Sequence, residues 1–136
     1  MKVNYSDISL NTAEKIECRK VVKDVVELAG IAFTDGIFKF EERAGQNENK
    51  LFKVMAKLIA GGYDPEVVAD VSSRIINNSG CTGVKLFELL LIVEGLTMIQ
   101  DSVHPNLIWL KLGALLDLDY FCDEFDNFLI ESAESN

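Results

Sequence analysis

The sequence holds little of what catalysis, metal binding, secretion or membrane insertion require. It has one histidine and three scattered cysteines, Cys18, Cys81 and Cys122, with no Cys-x-x-Cys pair. Such a set fits free thiols in a reducing cytosol and offers no disulfide framework. Met1 to Asp7 lack the apolar run of a secretory leader. The most hydrophobic stretch, Val84 to Ile99, is interrupted by Lys85, Glu88 and Glu94. Crossing a bilayer takes about 20 predominantly apolar residues, so a buried helix is expected there, with no membrane insertion. Basic side chains are in deficit as well, 13 against 22 acidic ones, for a formal net charge of -9. A field of that sign repels phosphate backbones and anionic lipid, which argues against nucleic acid as a partner. Strand patterns are nearly absent.

What is present is a globular balance. Apolar residues make up 49% of the 136-residue chain and charged residues 26%, enough for one domain to bury a core without staples. The expected fold is all-α: a compact single-domain bundle of five to six helices with no sheet. Residues 1–10 read as an N-terminal extension, 11–130 as the helical domain and 131–136 as a flexible tail. The expected location is cytoplasmic.

Helix punctuation is legible. Asn11 with Glu14 reads as a capping box. From there Cys18, Val22, Val25, Ala29, Ala32, Gly36 and Phe40 recur at three- and four-residue steps, drawing one apolar stripe down a long first helix that ends near Gly45. A second helix carries Leu51, Phe52, Met55 and Ile59 and stops at Gly61-Gly62. Asp64-Pro65-Glu66 starts a third, with Val68, Val71 and Ile75, which ends by Gly80. The fourth, from about Val84 to Gln100, is apolar nearly all round and should be central. His104-Pro105 repeats the start signal for a fifth helix, with Ile108, Leu112 and Leu115. The last, from about Asp119, sets Phe121, Phe125 and Phe128 against Asp123, Glu124 and Asp126. A faint repeat pairs Gly36–Glu41 with Gly95–Gln100. Matched glycines inside helices, each costing about 1 kcal/mol relative to alanine, point either to close helix crossings or to a chance similarity among helical apolar patterns.

Candidates for chemistry are few. Asp101 and His104 mimic a carboxylate-x-x-His metal motif, but Pro105 breaks the helix and no second histidine exists. His104 therefore reads as a cap or turn residue. Cys81, in Ser79-Gly80-Cys81-Thr82-Gly83, has no base placed beside it and reads as part of a connector. The acids Asp117, Asp119, Asp123, Glu124 and Asp126 lack calcium-loop spacing and read as a solvated helix face. No catalytic residue, metal site or cofactor is assigned. One feature resists a bland reading: at about 100° per residue, Phe38 falls opposite the apolar stripe, among Lys20, Glu27, Thr34 and Glu41, where it either meets the last helix, the slightly favoured reading, or marks a partner contact rimmed by charge.

Two ordered blocks resemble motility protein A, the channel-forming stator subunit of the bacterial flagellar motor. The first is Gly36-Ile37-Phe38-Lys39-Phe40-Glu41 followed by Leu58 to Glu66. The second is Glu94-Gly95-Leu96-Thr97-Met98-Ile99-Gln100 with Pro105 and Lys111-Leu112. The resemblance implies the cytoplasmic portion of that family without its membrane helices, and a protein partner such as a flagellar motor component. Glu41 matches the family's rotor-facing glutamate, while Phe33 stands where the family has a basic residue. The expected partner-binding residues are Asp35, Phe38, Glu41 and Glu42, with self-association left open. A weaker likeness, Ala32 to Gly36 with Glu41-Glu42, is similar to TerB-type tellurite-resistance domains and implies the alternative of a small metal-binding domain using Asp35, Glu41 and Glu42.

Overall fold

The computed structural model describes Tyr5 and residues 8–134, with side-chain surroundings through Asn127. Among the described residues the fold is all-α and no strand occurs. The segments are α1 (Thr12–Glu17), α2 (Arg19–Asp35), α3 (Ile37–Ala44), α4 (Lys50–Ala60), α5 (Pro65–Ser79), α6 (Gly83–Gln100), α7 (Pro105–Gly113) and α8 (Leu118–Glu134). There are eight rather than five or six because the segment expected as one helix from Asn11 to Gly45 is three.

The start of that segment follows its signal. Asn11 Oδ1 accepts from the Glu14 amide at 2.9 Å, and Glu14 Oε1 accepts from the Asn11 amide at 3.1 Å, so two orphan donors are satisfied reciprocally. The end does not. Gly36 adopts φ 94°, ψ 176°, a region open essentially to glycine alone. There the chain doubles back. Arg43 pairs with Glu27, and Asn47 Nδ2 donates to Asp24 at 3.0 Å. In one straight helix residues 27 and 43 would stand about 24 Å apart. α2 and α3 thus form a helical hairpin, which corrects the expected single helix.

The matched glycines also prove to do different work. A Cβ at Gly36 would meet nothing, whereas one at Gly95 would overlap Val25 and lie 3.2 Å from Leu112 Cδ1. Gly95 is the close crossing, where α2 and α7 reach α6. Its helix is central as expected: α6 buries Phe87, Leu90, Leu91, Ile92, Leu96, Met98 and Ile99 and packs against α2, α4, α5 and α7.

α4 buries Leu51, Phe52, Met55 and Ile59, the residues its periodicity selects. On α5 the core face runs through Val68, Ser72 and Ile76, while Ile75 is exposed. A buried serine hid that stripe. Its hydroxyl donates to the Val68 carbonyl at 2.7 Å, so burial leaves no polar group unpaired. Asp64 stands at the N-cap of α5, but its side chain makes no capping bond.

Ahead of α1, Tyr5 lies on α6. The Tyr5 ring packs against Phe87, and its hydroxyl donates to the Glu94 carboxylate, with the Leu90 carbonyl 3.2 Å away. Burial, then that bond and charge, raise the tyrosine's pKa. Cys18 is fully buried, and burial together with the nearby acids Glu88, Glu17 and Glu14 pushes its thiol up to about 12. A thiol in that state is an inert packing residue. At the other end α8 extends to Glu134, into the segment expected to fray; Ser135 and Asn136 lie outside the described residues, as do Met1 to Asn4, Ser6 and Asp7. The Phe128 side chain, expected on the apolar face of this helix, is likewise outside them.

Asp117 corrects the reading of the acid cluster as a solvated face. It is buried and accepts from Arg19 Nη2 at 2.6 Å and Nε at 3.1 Å, while the Tyr120 amide lies 3.3 Å from Oδ2. The Arg19 guanidinium also lies over the Tyr120 ring, 4.7 Å from its centroid. Together with the stack of Trp109 on Phe121, at 5.3 Å and 10°, this ties α8 to the bundle. The hydrogen bonds from Arg19 hold the Asp117 carboxyl below its ordinary range. A carboxylate whose pKa is lowered by folding contributes stability that is present above its unfolded pKa and lost as pH falls through the folded one. Fluorescence of Trp109, the single tryptophan, is therefore expected to change as pH falls below the ordinary carboxylate range. Asp117→Asn should remove most of that transition. An identical acid profile in the variant would place the transition elsewhere.

Candidate functional site

The α2–α3 corner projects a run of residues, 33–39, every one of which is exposed. Three of the seven are large and apolar: Phe33 is 63% exposed, Ile37 36% and Phe38 79%. A scattered exposed apolar residue is ordinary, whereas a contiguous group of them is not.

The four residues expected from sequence fall here in two groups. Phe38, Glu41 and Glu42 occupy positions i, i+3 and i+4 of α3 and so share one helix face; Phe38 and Glu42 are exposed and Glu41 is half-buried. Asp35 is exposed too, but it is the last residue of α2 and stands across the Gly36 corner. Phe40, two residues after Phe38, faces the opposite way and is fully buried.

Sequence reasoning missed Phe33 and Ile37. Both lie beside the stripe rather than opposite it, and on one continuous helix nothing separates them from core residues. Phe33 also borders a groove. Its ring meets the edge of His104 at 5.0 Å, and with Ala29, Ala32, Ile99, Ser102 and Val103 it lines that groove, of about 240 Å³, between α2 and the α6–α7 corner. His104 acts as a cap, since Nδ1 accepts from the Asn106 amide at 3.0 Å and starts α7. Asp101 is the C-cap of α6 and His104 the N-cap of α7, so the two share no helix.

The α6–α7 corner has a twin. Tyr63 N donates to Leu58 O and Gly62 N to Ile59 O, at 3.2 and 3.1 Å; Val103 N donates to Met98 O and Ser102 N to Ile99 O, both at 3.0 Å. Each is the paired bonding that closes a helix through a left-handed residue, and each leads into a cap and a proline. At the first corner the left-handed residue is Gly62, and Lys57 neutralises the last turn of α4. At the second it is Ser102, with φ 60°, and α6 has no basic residue in its last turn.

Other candidates do not assemble. Among the described residues no three His, Cys, Asp or Glu side chains come together as a metal-holding group, so Asp35, Glu41 and Glu42 do not converge as the metal-binding alternative requires. Cys81 sits in the α5–α6 connector, its amide bonded to Ser79 Oγ. A polar cleft on the other flank of the hairpin is lined by Lys20, Asp24, Glu27 and Arg43, charges that pair with one another. No helix among the described residues is long and apolar enough to cross a membrane. Compared with known protein families, with curated proteins and with solved structures, the chain matches none of them.

Proposed function

We propose that this chain is a non-enzymatic protein-interaction domain that engages its partner through the α2–α3 corner. The observation that carries this reading is the uninterrupted exposure of residues 33–39 with Phe33, Ile37 and Phe38 among them. Aromatic anchors of this kind supply most of the energy of protein interfaces, and charges around them tune encounter and specificity. Asp35 and Glu42 serve the second purpose, and half-buried Glu41 fixes the rim. The narrower role of accessory or regulator in a flagellar motor-like complex rests on the resemblance of the Gly36–Glu41 and Glu94–Gln100 blocks to motility protein A.

A photoreactive phenylalanine analogue at position 38, introduced into the full chain in cells, tests the reading. A discrete cross-linked protein is expected from position 38 and not from the exposed position of Arg74 on α5. Phe33→Ser should abolish it. A motor component in the adduct supports the narrower role. Absence of an adduct at 38, or equal adducts from 38 and 74, contradicts the interaction surface.

A further inference from the structure

The groove beside the corner breaks three local rules at once. Phe33 exposes most of an aromatic ring. Ser102 occupies a left-handed conformation that its twin corner gives to glycine. Asp101 caps the C-terminus of α6, where the backbone already presents negative partial charge, while Asp35 ends α2 one residue before Gly36, the N-cap of α3. Among the described residues neither carboxylate has an ion-pair partner. Folding stability favours neither the exposed ring, nor the left-handed serine, nor the carboxylate at the end of α6, and uncompensated departures from local rules concentrate at functional sites.

The groove's chemistry specifies what would satisfy them. The side chains that line it are those of Ala29, Ala32, Phe33, Ile99, Ser102 and Val103, apolar but for one hydroxyl, with polar backbone atoms also facing the groove. An apolar cavity of about 150 Å³ accepts benzene, so about 240 Å³ seats a single phenylalanine, leucine or isoleucine side chain. Within three residues of any lining position the charged side chains are Glu27, Asp35 and Asp101 only, and Glu27 is taken by Arg43. No lysine or arginine is that close in sequence.

We infer that the groove between α2 and the α6–α7 corner seats one apolar side chain of a partner protein's segment, with lysine or arginine beside it to meet Asp35 and Asp101. The inference rests on the corner being an interaction surface and adds the chemistry of the segment that binds. A second copy of this chain is a poor occupant, because a net charge of -9 would set carboxylates against carboxylates.

The test uses the full ¹⁵N-labelled chain and short synthetic peptides of three designs: a central phenylalanine flanked by lysine and arginine, the same core flanked by glutamate, and the basic flanks around serine. The first is expected to shift the amides of Ala32, Phe33, Ser102 and Val103, with affinity that falls as salt is raised. Each of the others should bind about tenfold or more weakly, since like charges across an interface and a missing anchor are both costly. Asp35 and Asp101 are exposed, so the double variant D35K/D101K should fold and reverse the preference toward the acidic peptide. Equal binding of acidic and basic peptides overturns the inference, as does absence of shifts with any peptide. Shifts confined to Phe38 and Glu42 overturn the groove while leaving the interaction surface intact. Concentration-dependent shifts without peptide would make a second copy the occupant and overturn it too. Loss of the cross-link at position 38 is a separate result, which removes the surface itself.

Discussion

Phe40→Ala is expected to lower the unfolding free energy of the isolated chain by about 3–5 kcal/mol, whereas Phe38→Ala should change it by less than about 0.5 kcal/mol. The two rings sit two positions apart on α3. Phe40 is 0% exposed and belongs to the central core, so its truncation removes transfer free energy and leaves a cavity that close-packed neighbours fill only in part. Phe38 is 79% exposed, and its truncation removes surface already in water. Urea denaturation of both variants, with unchanged slopes to show a common unfolded state, makes the comparison. A loss of several kcal/mol at Phe38 would mean that the ring is packed, and the interaction surface would go with it.

Gly95→Ala is expected to destabilise by about 1–3 kcal/mol, although alanine in a helix interior is intrinsically better than glycine by about 1 kcal/mol. The added carbon would overlap Val25 and come within 3.2 Å of Leu112 Cδ1. Val25 cannot yield easily, because a β-branched side chain in a helix has essentially one rotamer, and its own position is fully buried. Thermal or urea unfolding of Gly95→Ala, Val25→Ala and the double variant forms a cycle. The signature of a steric crossing is coupling: in the Val25→Ala background, Gly95→Ala should be neutral or stabilising. Additive losses would show that the glycine is needed for some other reason.

Much of the fold was legible because helix formation leaves local marks. The capping box at Asn11, the proline starts at Pro65 and Pro105, and the all-round apolar character of α6 are each written within a few adjacent residues, and each reports its element correctly. The missed corner has one cause. Gly36 lies where a three- and four-residue apolar rhythm continues unbroken from Val22 to Phe40, and a rhythm cannot distinguish glycine in a helix from glycine at φ 94°. The long-range contacts that distinguish them, Arg43 with Glu27 and Asn47 with Asp24, exist only after the chain has turned. Phe38 was placed opposite the stripe, but whether it met the last helix or lay open was not legible; the structure leaves it 79% exposed. Phe33 and the groove were invisible for the reason that hid the corner: they are formed by α2 meeting the α6–α7 turn, some 70 residues away in sequence.

Gly36 also divides the chain into two regimes of tolerance to change. From residue 33 to 39 all the side chains are exposed and none belongs to the buried core; surface substitutions of that kind usually stay within about ±0.5 kcal/mol, with more to lose at Phe33, whose ring meets His104. The corner itself is the exception, since a side chain at φ 94° is strained however much space surrounds it. The identity of the projecting tip can thus be rewritten by exchanging Phe33, Asp35, Ile37 or Phe38 without renegotiating the interior, provided that position 36 stays bare. The residue with no side chain is what makes its neighbours replaceable.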